Sequence, residues 1–286
     1  MSDGVGYALL SLLAAGVLDV VFARYSGTHR ATGAYLVVTG VVVIVGQSVA
    51  LAVARVPLAF EAGAALWGMF AGAVVMLANA LLIQSLAGIN VSLGSTIYRL
   101  NTVVVIIFAV VFLRESLTAP KLAGVLLGLL AVILLYQQGG RGGDDRLIRA
   151  SVGIAMGASL LRAAFGIVSK IGLADGTDPF VFMLYVGAGW TLAATFYGML
   201  RRHRAPPPLR QILPSAFVSG TLICLVATFL LLGLRTGEAS VVIPIANMSF
   251  VVALLISSAY AMERFTLRKL LAVGSAALAI AMLTGA

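Results

Sequence analysis

Apolar residues come in long runs along this chain, and polar residues gather in the short intervals between them. A helix needs about 17 to 25 mainly apolar residues to cross a bilayer. Ten runs qualify, over 4–23, 33–54, 63–86, 91–113, 119–136, 150–170, 179–200, 213–234, 239–260 and 267–283. The first begins almost at Met1, with neither a basic segment before it nor a small-residue cleavage pattern after it, so it reads as a retained helix. Two intervals are long. Residues 137–149 (QQGGRGGDDRLIR) are rich in glycine and charge, and 201–210 (RRHRAPPPLR) form a basic, proline-broken loop that reads as a topology signal.

One unit is written twice. An offset of 148 residues maps Ser92 onto Ser240, Glu115 onto Glu263, Thr118 onto Thr266, Lys121 onto Lys269 and Leu122 onto Leu270. Apolar matches between membrane segments arise easily, but polar ones held in register at a turn mark a repeat. The seam divides the chain into residues 1–140 and 150–286, five runs each, with 141–149 as linker. Because five is odd, the second half starts from the opposite membrane face. The expected fold is all-α and integral to the membrane: ten transmembrane helices as two inverted five-helix repeats, an architecture suited to opening one side while the other closes.

Two stretches carry a family resemblance: RLNTVVVIIFAVVFLRESLTAPKLAGVLLGLLAVILL and IANMSFVVALLISSAYAMERFTLRKLLAVGSAALAIAML. Each is an apolar helix ending in Glu, with Thr three residues later and then a Gly- and Ala-rich helix. This is similar to the EamA domain of the drug/metabolite transporter superfamily. The resemblance implies a ten-helix secondary transporter with a central cavity, commonly an exporter of small metabolites, amino acids or drugs, multi-pass in the plasma (inner) membrane. The chain departs from the family pattern at Leu18-Asp19-Val20, where a Trp-Gly pair is often seen, and at Tyr98-Arg99-Leu100, where a proline often sits; the second half keeps Pro244 nearby.

Composition agrees with a lipid-facing chain, at 61% apolar and 10% charged. The formal net charge of +9 does not point to nucleic acid, because most Lys and Arg lie in the intervals between runs. Of 19 Lys and Arg, 12 fall at the membrane face of the intervals after odd-numbered runs, five at the other face, and two, Arg99 and Arg162, deep inside runs. That bias places both termini outside, whereas the resemblance implies inside; accessibility of a cysteine placed at Ser2 in a Cys224-free chain distinguishes the two. Cys224, the single cysteine, lies within an apolar run and excludes an intrachain disulfide.

An ionisable side chain near the bilayer centre costs about 2.5–3.5 kcal/mol on insertion scales, so Asp19, Arg99 and Arg162 are the leading site candidates. Ser92, Ser95, Thr96 and Thr102 share one helical stripe with Arg99, and the repeat maps Arg99 onto Asn247. Two polar faces are expected at one cavity. Asp19 and Arg99 lie at comparable depth, which permits a structural brace or a shared ligand site. Arg162 is expected on one face with Ser159, Gly166 and Ser169. Asn79 and Gln84 suit hydrogen bonds to neighbouring helices. Trp190, Tyr98 and Tyr185 suit stacking on a substrate or gap filling. Glu115 and Glu263, with Thr118 and Thr266, are expected to cap the fifth and tenth helices. Gly124 and Gly128 present a small-residue face to another helix of the chain or to a second copy.

Both histidines, His29 and His203, are in intervals, and no H-E-x-x-H, paired CxxC or Walker loop is present. No catalytic residue, metal or cofactor is therefore expected, and a gradient has to drive transport. The expected partners are a small-molecule substrate, the lipid bilayer and a coupling proton, with the chain a monomer and a dimer as the alternative. A membrane-embedded enzyme or a non-transport membrane protein is the rival class. For the substrate, one buried acid and two buried arginines favour a zwitterion such as an amino acid, or a net anion, over a plain cation.

Overall fold

The computed structural model describes residues 3–28, 32–58, 61–85, 97–112, 114–134, 145–174, 176–200, 209–259 and 266–284. Helices account for nearly all of these. They are α1 (Asp3–Thr28), α2 (Thr32–Ala54), α3 (Ala62–Ser85), α4 (Asn101–Val111), α5 (Ala119–Leu134), α6 (Asp145–Gly172), α7 (Pro179–Leu200), α8 (Leu209–Thr236), α9 (Ala239–Asn247), α10 (Phe250–Ala259) and α11 (Leu267–Thr284). Among the described residues eight helices are long and apolar enough to cross a membrane, and Ile97–Val111 and Ala119–Ala131 are shorter apolar helices.

Local chemistry sets the helix starts. Asp178 accepts the Phe180 N–H at 2.9 Å, and Pro179 follows it at the first helical position of α7, where its missing N–H removes no bond. Thr118 and Thr266, one repeat apart, each accept the backbone N–H three residues on at 3.4 Å, capping α5 and α11 as expected. The expectation for Glu115 is corrected. Its carboxylate accepts the N–H groups of Ala239 and Ser240, both at 2.9 Å, so it caps α9 in the other half. Glu263 lies outside the described residues. Residues 145–149, at the end of the linker, already have helical backbone and open α6. A helix need not stop where its apolar face stops, and this polar first turn continues α6 past the apolar run.

Packing repeats between the halves. α1 packs on α8, α2 on α7 and α8, α3 on α6 and α7, α4 on α6, α1 on α10, and α5 on α11. Exchanging α1 with α6, α2 with α7, α3 with α8, α4 with α10 and α5 with α11 returns this same set of neighbours. Glycines allow the closest approaches. A Cβ on Gly72 of α3 would come within 2.0 Å of Val186 O, and one on Gly189 of α7 within 2.0 Å of Met69 O. Gly220, the repeat partner of Gly72, sits under Val42 and Thr39 in the α2–α8 contact. Gly124 and Gly128 face α11 and Met248, so their small-residue face is used inside the chain.

Gly72→Ala and Gly189→Ala each drive a methyl into backbone that cannot swing aside. Each is expected to destabilise at or above the upper end of the ~1–3 kcal/mol typical of overpacking. Gly274→Ala, with nothing within 4 Å of the new methyl, is the control. Thermal unfolding of the detergent-purified variants checks this; equal stability of Gly72→Ala and Gly274→Ala contradicts the close approach.

At the end of the molecule where α1 begins, an ion pair crosses between the halves and further polar contacts brace the second half itself. Lys121 pairs with Glu238 and also donates to Ser116 O. Lys170 donates to Leu234 O and Gly237 O at 2.6 and 2.7 Å. Arg235 approaches Asp178 at 3.7 Å.

Candidate functional site

Two helices of the bundle break at equivalent places. The Leu100 N–H bonds Ile97 O at 3.1 Å and the Val103 N–H bonds Leu100 O at 3.1 Å; one repeat later Met248 bonds Ile245 at 3.0 Å and Val251 bonds Met248 at 3.1 Å. Tightening each ladder to a three-residue step ends one helix and starts another. The ninth predicted run, continuous in sequence, is therefore two helices, α9 and α10. Irregular backbone at membrane depth is tolerated where it lines a cavity or is buried in protein.

Between the breaks the halves bond reciprocally. Arg99 Nη1 donates to Ser249 Oγ at 2.7 Å and to Asn247 O at 2.6 Å. Asn247 Nδ2 donates to Asn101 Oδ1 and Thr102 Oγ1, both at 2.8 Å. Arg99 corresponds to Asn247, and Asn101 to Ser249, so the Arg99–Ser249 bond and the Asn247–Asn101 bond are the same contact seen from each half.

Arg99 also pairs with Asp19 through Nη2, and its guanidinium lies 5.3 Å from the Phe250 ring centroid. Its side chain is 9% exposed against 32% for Asp19, so the carboxylate is the partner that faces open space. Asp19 Oδ2 takes both Arg99 and the Ser249 hydroxyl, the latter at 3.3 Å. The expected Asp19–Arg99 pairing is thus present. Ser249 and Asn101, which complete it, went unrecognised in the sequence, although the repeat offset places them in register.

A cavity of about 80 Å³ adjoins this cluster, reached by α1, α2, α3, α6, α7, α8 and both breaks. Asp19, Arg99, Arg162, Tyr98, Asn79 and Asn247 all line it. Arg162 has no hydrogen-bonding or ion-pair partner among the described residues, and its guanidinium sits 5.4 Å from the Phe165 ring centroid. Asn79 uses Nδ2 on Val75 O of its own helix at 2.7 Å, not on a neighbouring helix as expected, because the i−4 carbonyl is nearest. Gln84 does reach across, donating to the Tyr197 hydroxyl at 2.6 Å. Trp190 presents its ring to the cavity, but its indole N–H is committed to Leu36 O at 2.9 Å. Tyr185 packs at Gly68, away from the cavity lining. Gly166 packs under Ile243, and Ser159 and Ser169 are buried away from that lining, so the face expected to accompany Arg162 does not reach the cavity with it. Ser92, Ser95 and Thr96 lie outside the described residues. No group of three or more His, Cys, Asp or Glu placed to hold a metal occurs among the described residues.

None of the curated proteins is similar enough to be matched. One solved crystal structure superposes with a TM-score of 0.77 at 14% identity, covering 97% of this chain and 97% of that chain; the likeness concerns the fold. The profile of the EamA-like transporter family matches residues 3–137 and matches again over 150–285. With both halves matched, the chain belongs to the EamA-like transporter family, a membrane transporter family of the drug/metabolite transporter superfamily.

Proposed function

We propose that this protein is a secondary active transporter, an exporter or exchanger of a small polar metabolite such as an amino acid, working by alternating access about the cavity. The observation that carries the reading is the reciprocal contact between equivalent helix breaks beside a cavity that holds an arginine with no ion pair among the described residues. In this reading the chain crosses the membrane ten times, as inverted five-helix repeats over 1–140 and 150–286 joined at 141–149. The shorter helices within Ile97–Val111 and Ala119–Ala131 complete the count. Exchange of neighbours between the halves supports the repeat, since rocking one half against the other then produces the state related by the two-fold axis.

The cavity itself limits the solute. A volume of about 80 Å³ is room for roughly five to eight waters at ~10–15 Å³ each, which suits an amino acid better than a bulky drug. Arg162 is placed to hold a carboxylate. Asp19 turns its second oxygen, Oδ1, to a substrate amine or to a coupling proton. The resemblance adds the export direction and the plasma (inner) membrane. The function needs no cofactor, and the chain works as a monomer.

Reconstituted into liposomes without ATP, the protein is expected to move a small organic solute down its gradient. Amino acids, polyamines, nucleobases and sugars form the screen. A screen returning only leak at verified incorporation contradicts the reading.

A further inference from the structure

The Arg99 guanidinium occupies a place that the rest of the fold builds without it. Its oxygens come from separate pieces of chain: Asp19 Oδ2 on α1, Asn247 O at the end of α9, and Ser249 Oγ in the turn before α10. Asn247 O is drawn to the arginine at the helix break, where the Val251 N–H bonds Met248 O and not the carbonyl four residues back. One full carboxylate charge, one carbonyl dipole and one hydroxyl form the hard oxygen set that a cation takes from a broken helix at membrane depth. Among the described residues the other half shows no such set. Asn247, the repeat partner of Arg99, meets only the neutral oxygens of Asn101 and Thr102, and the same offset maps Asp19 onto Ile167. The carboxylate exists only where the arginine does. Among the described residues the buried Arg99 Nε has no acceptor, so every hydrogen bond of the head runs through its terminal nitrogens.

We propose that Asp19, Asn247 O and Ser249 form a monovalent-cation site that Arg99 fills from within the chain, making the arginine a tethered substitute for a coupling cation. This rests on the transporter reading given above. Wild-type transport then needs neither sodium nor potassium, and solute exchange or a proton supplies the drive. Shortening the side chain vacates the site, and a small external cation takes its place. Guanidinium is the best fit, because its planar fork matches the vacated geometry.

The test needs the purified full chain. Thermal unfolding of Arg99→Ala, and of Arg99→Met, which keeps most of the side-chain volume, is followed against guanidinium chloride in the low millimolar range, sodium chloride and choline chloride. Both variants are expected to gain stability from guanidinium, less from sodium and none from choline. Wild type and the Asp19→Asn, Arg99→Ala double variant are expected to show no such gain. In liposomes, wild-type uptake is expected to be unchanged when choline replaces sodium and potassium, and guanidinium is expected to restore part of the Arg99→Ala uptake. Sodium- or potassium-dependent uptake by wild type overturns the proposal whatever the variants do. So does a folded Arg99→Ala that responds to guanidinium no more than the double variant. A stability response without uptake by any form, wild type included, leaves the cation site standing and removes the transporter reading instead.

Discussion

Arg99→Ala abolishes solute uptake at matched reconstitution, and Arg99→Lys keeps part of it. The guanidinium joins Asp19, Asn247 O, Ser249 and the Phe250 ring, so its removal strips one of the two reciprocal contacts between the helix breaks and leaves the Asp19 carboxylate uncompensated. Breaking a fully buried pair from one side costs about 3–5 kcal/mol, and the partial exposure of Asp19 makes the cost here smaller. Lys restores the charge but cannot serve carbonyl, hydroxyl and carboxylate from one planar fork. The Asp19→Asn, Arg99→Gln double substitution removes both charges and with them the unpaired-ion penalty. It is expected to recover folding, seen in thermal unfolding, while uptake stays lost because the charge that organises the breaks is gone. A fully active double variant reduces Asp19 and Arg99 to a brace and removes them from the transport site. Uptake by wild type, the two single substitutions and the double one decides the matter.

Arg162→Gln is expected to raise KM for a carboxylate-bearing solute about ten- to a hundredfold while leaving the unfolding temperature almost unchanged. A hydrogen bond to a charged group contributes about 1.5–3 kcal/mol, and each 1.4 kcal/mol is a factor of ten. The contrast with Arg99 follows from their partners. No described residue bonds Arg162, so its loss orphans none of the described residues. With Asp19 and Arg99 neutralising each other, Arg162 is the one cation lining the cavity, among the described residues, that has no ion pair. Its field selects for negative charge on the solute. Arg162→Lys retains part of the affinity. An unchanged KM in Arg162→Gln removes this residue from substrate recognition.

Much of the site was legible one residue at a time. Asp19, Arg99 and Arg162 stand out as ionisable groups inside apolar runs, and all three line one cavity. Trp190 and Asn247 were legible as polar or aromatic residues in those runs, but not as residues already committed to Leu36 O, Asn101 and Thr102. Commitment depends on what lies opposite. For Trp190 the opposite group is 154 residues away, and for Asn247 and Asn101 it is 146. The break at Leu100 has no adjacent proline or glycine to announce it, and only the polar residues of 98–102 (YRLNT) interrupt the apolar run there.

The sequence by itself determined that the chain is a membrane protein, that it is doubled, and which family it belongs to. Hydropathy adds up along a run against a uniform lipid solvent, and a repeat is a comparison of the chain with itself, so neither needs a contact map. Only the tertiary structure decided that Glu115 caps α9 and not α5, that Gly124 and Gly128 serve the packing of α5 on α11, and that Arg99 is held while Arg162 has no such partner among the described residues. These outcomes turn on which helix faces meet and at what height. Helix packing settles that through backbone approaches as close as those at Gly72 and Gly189, and a hydropathy pattern leaves it open.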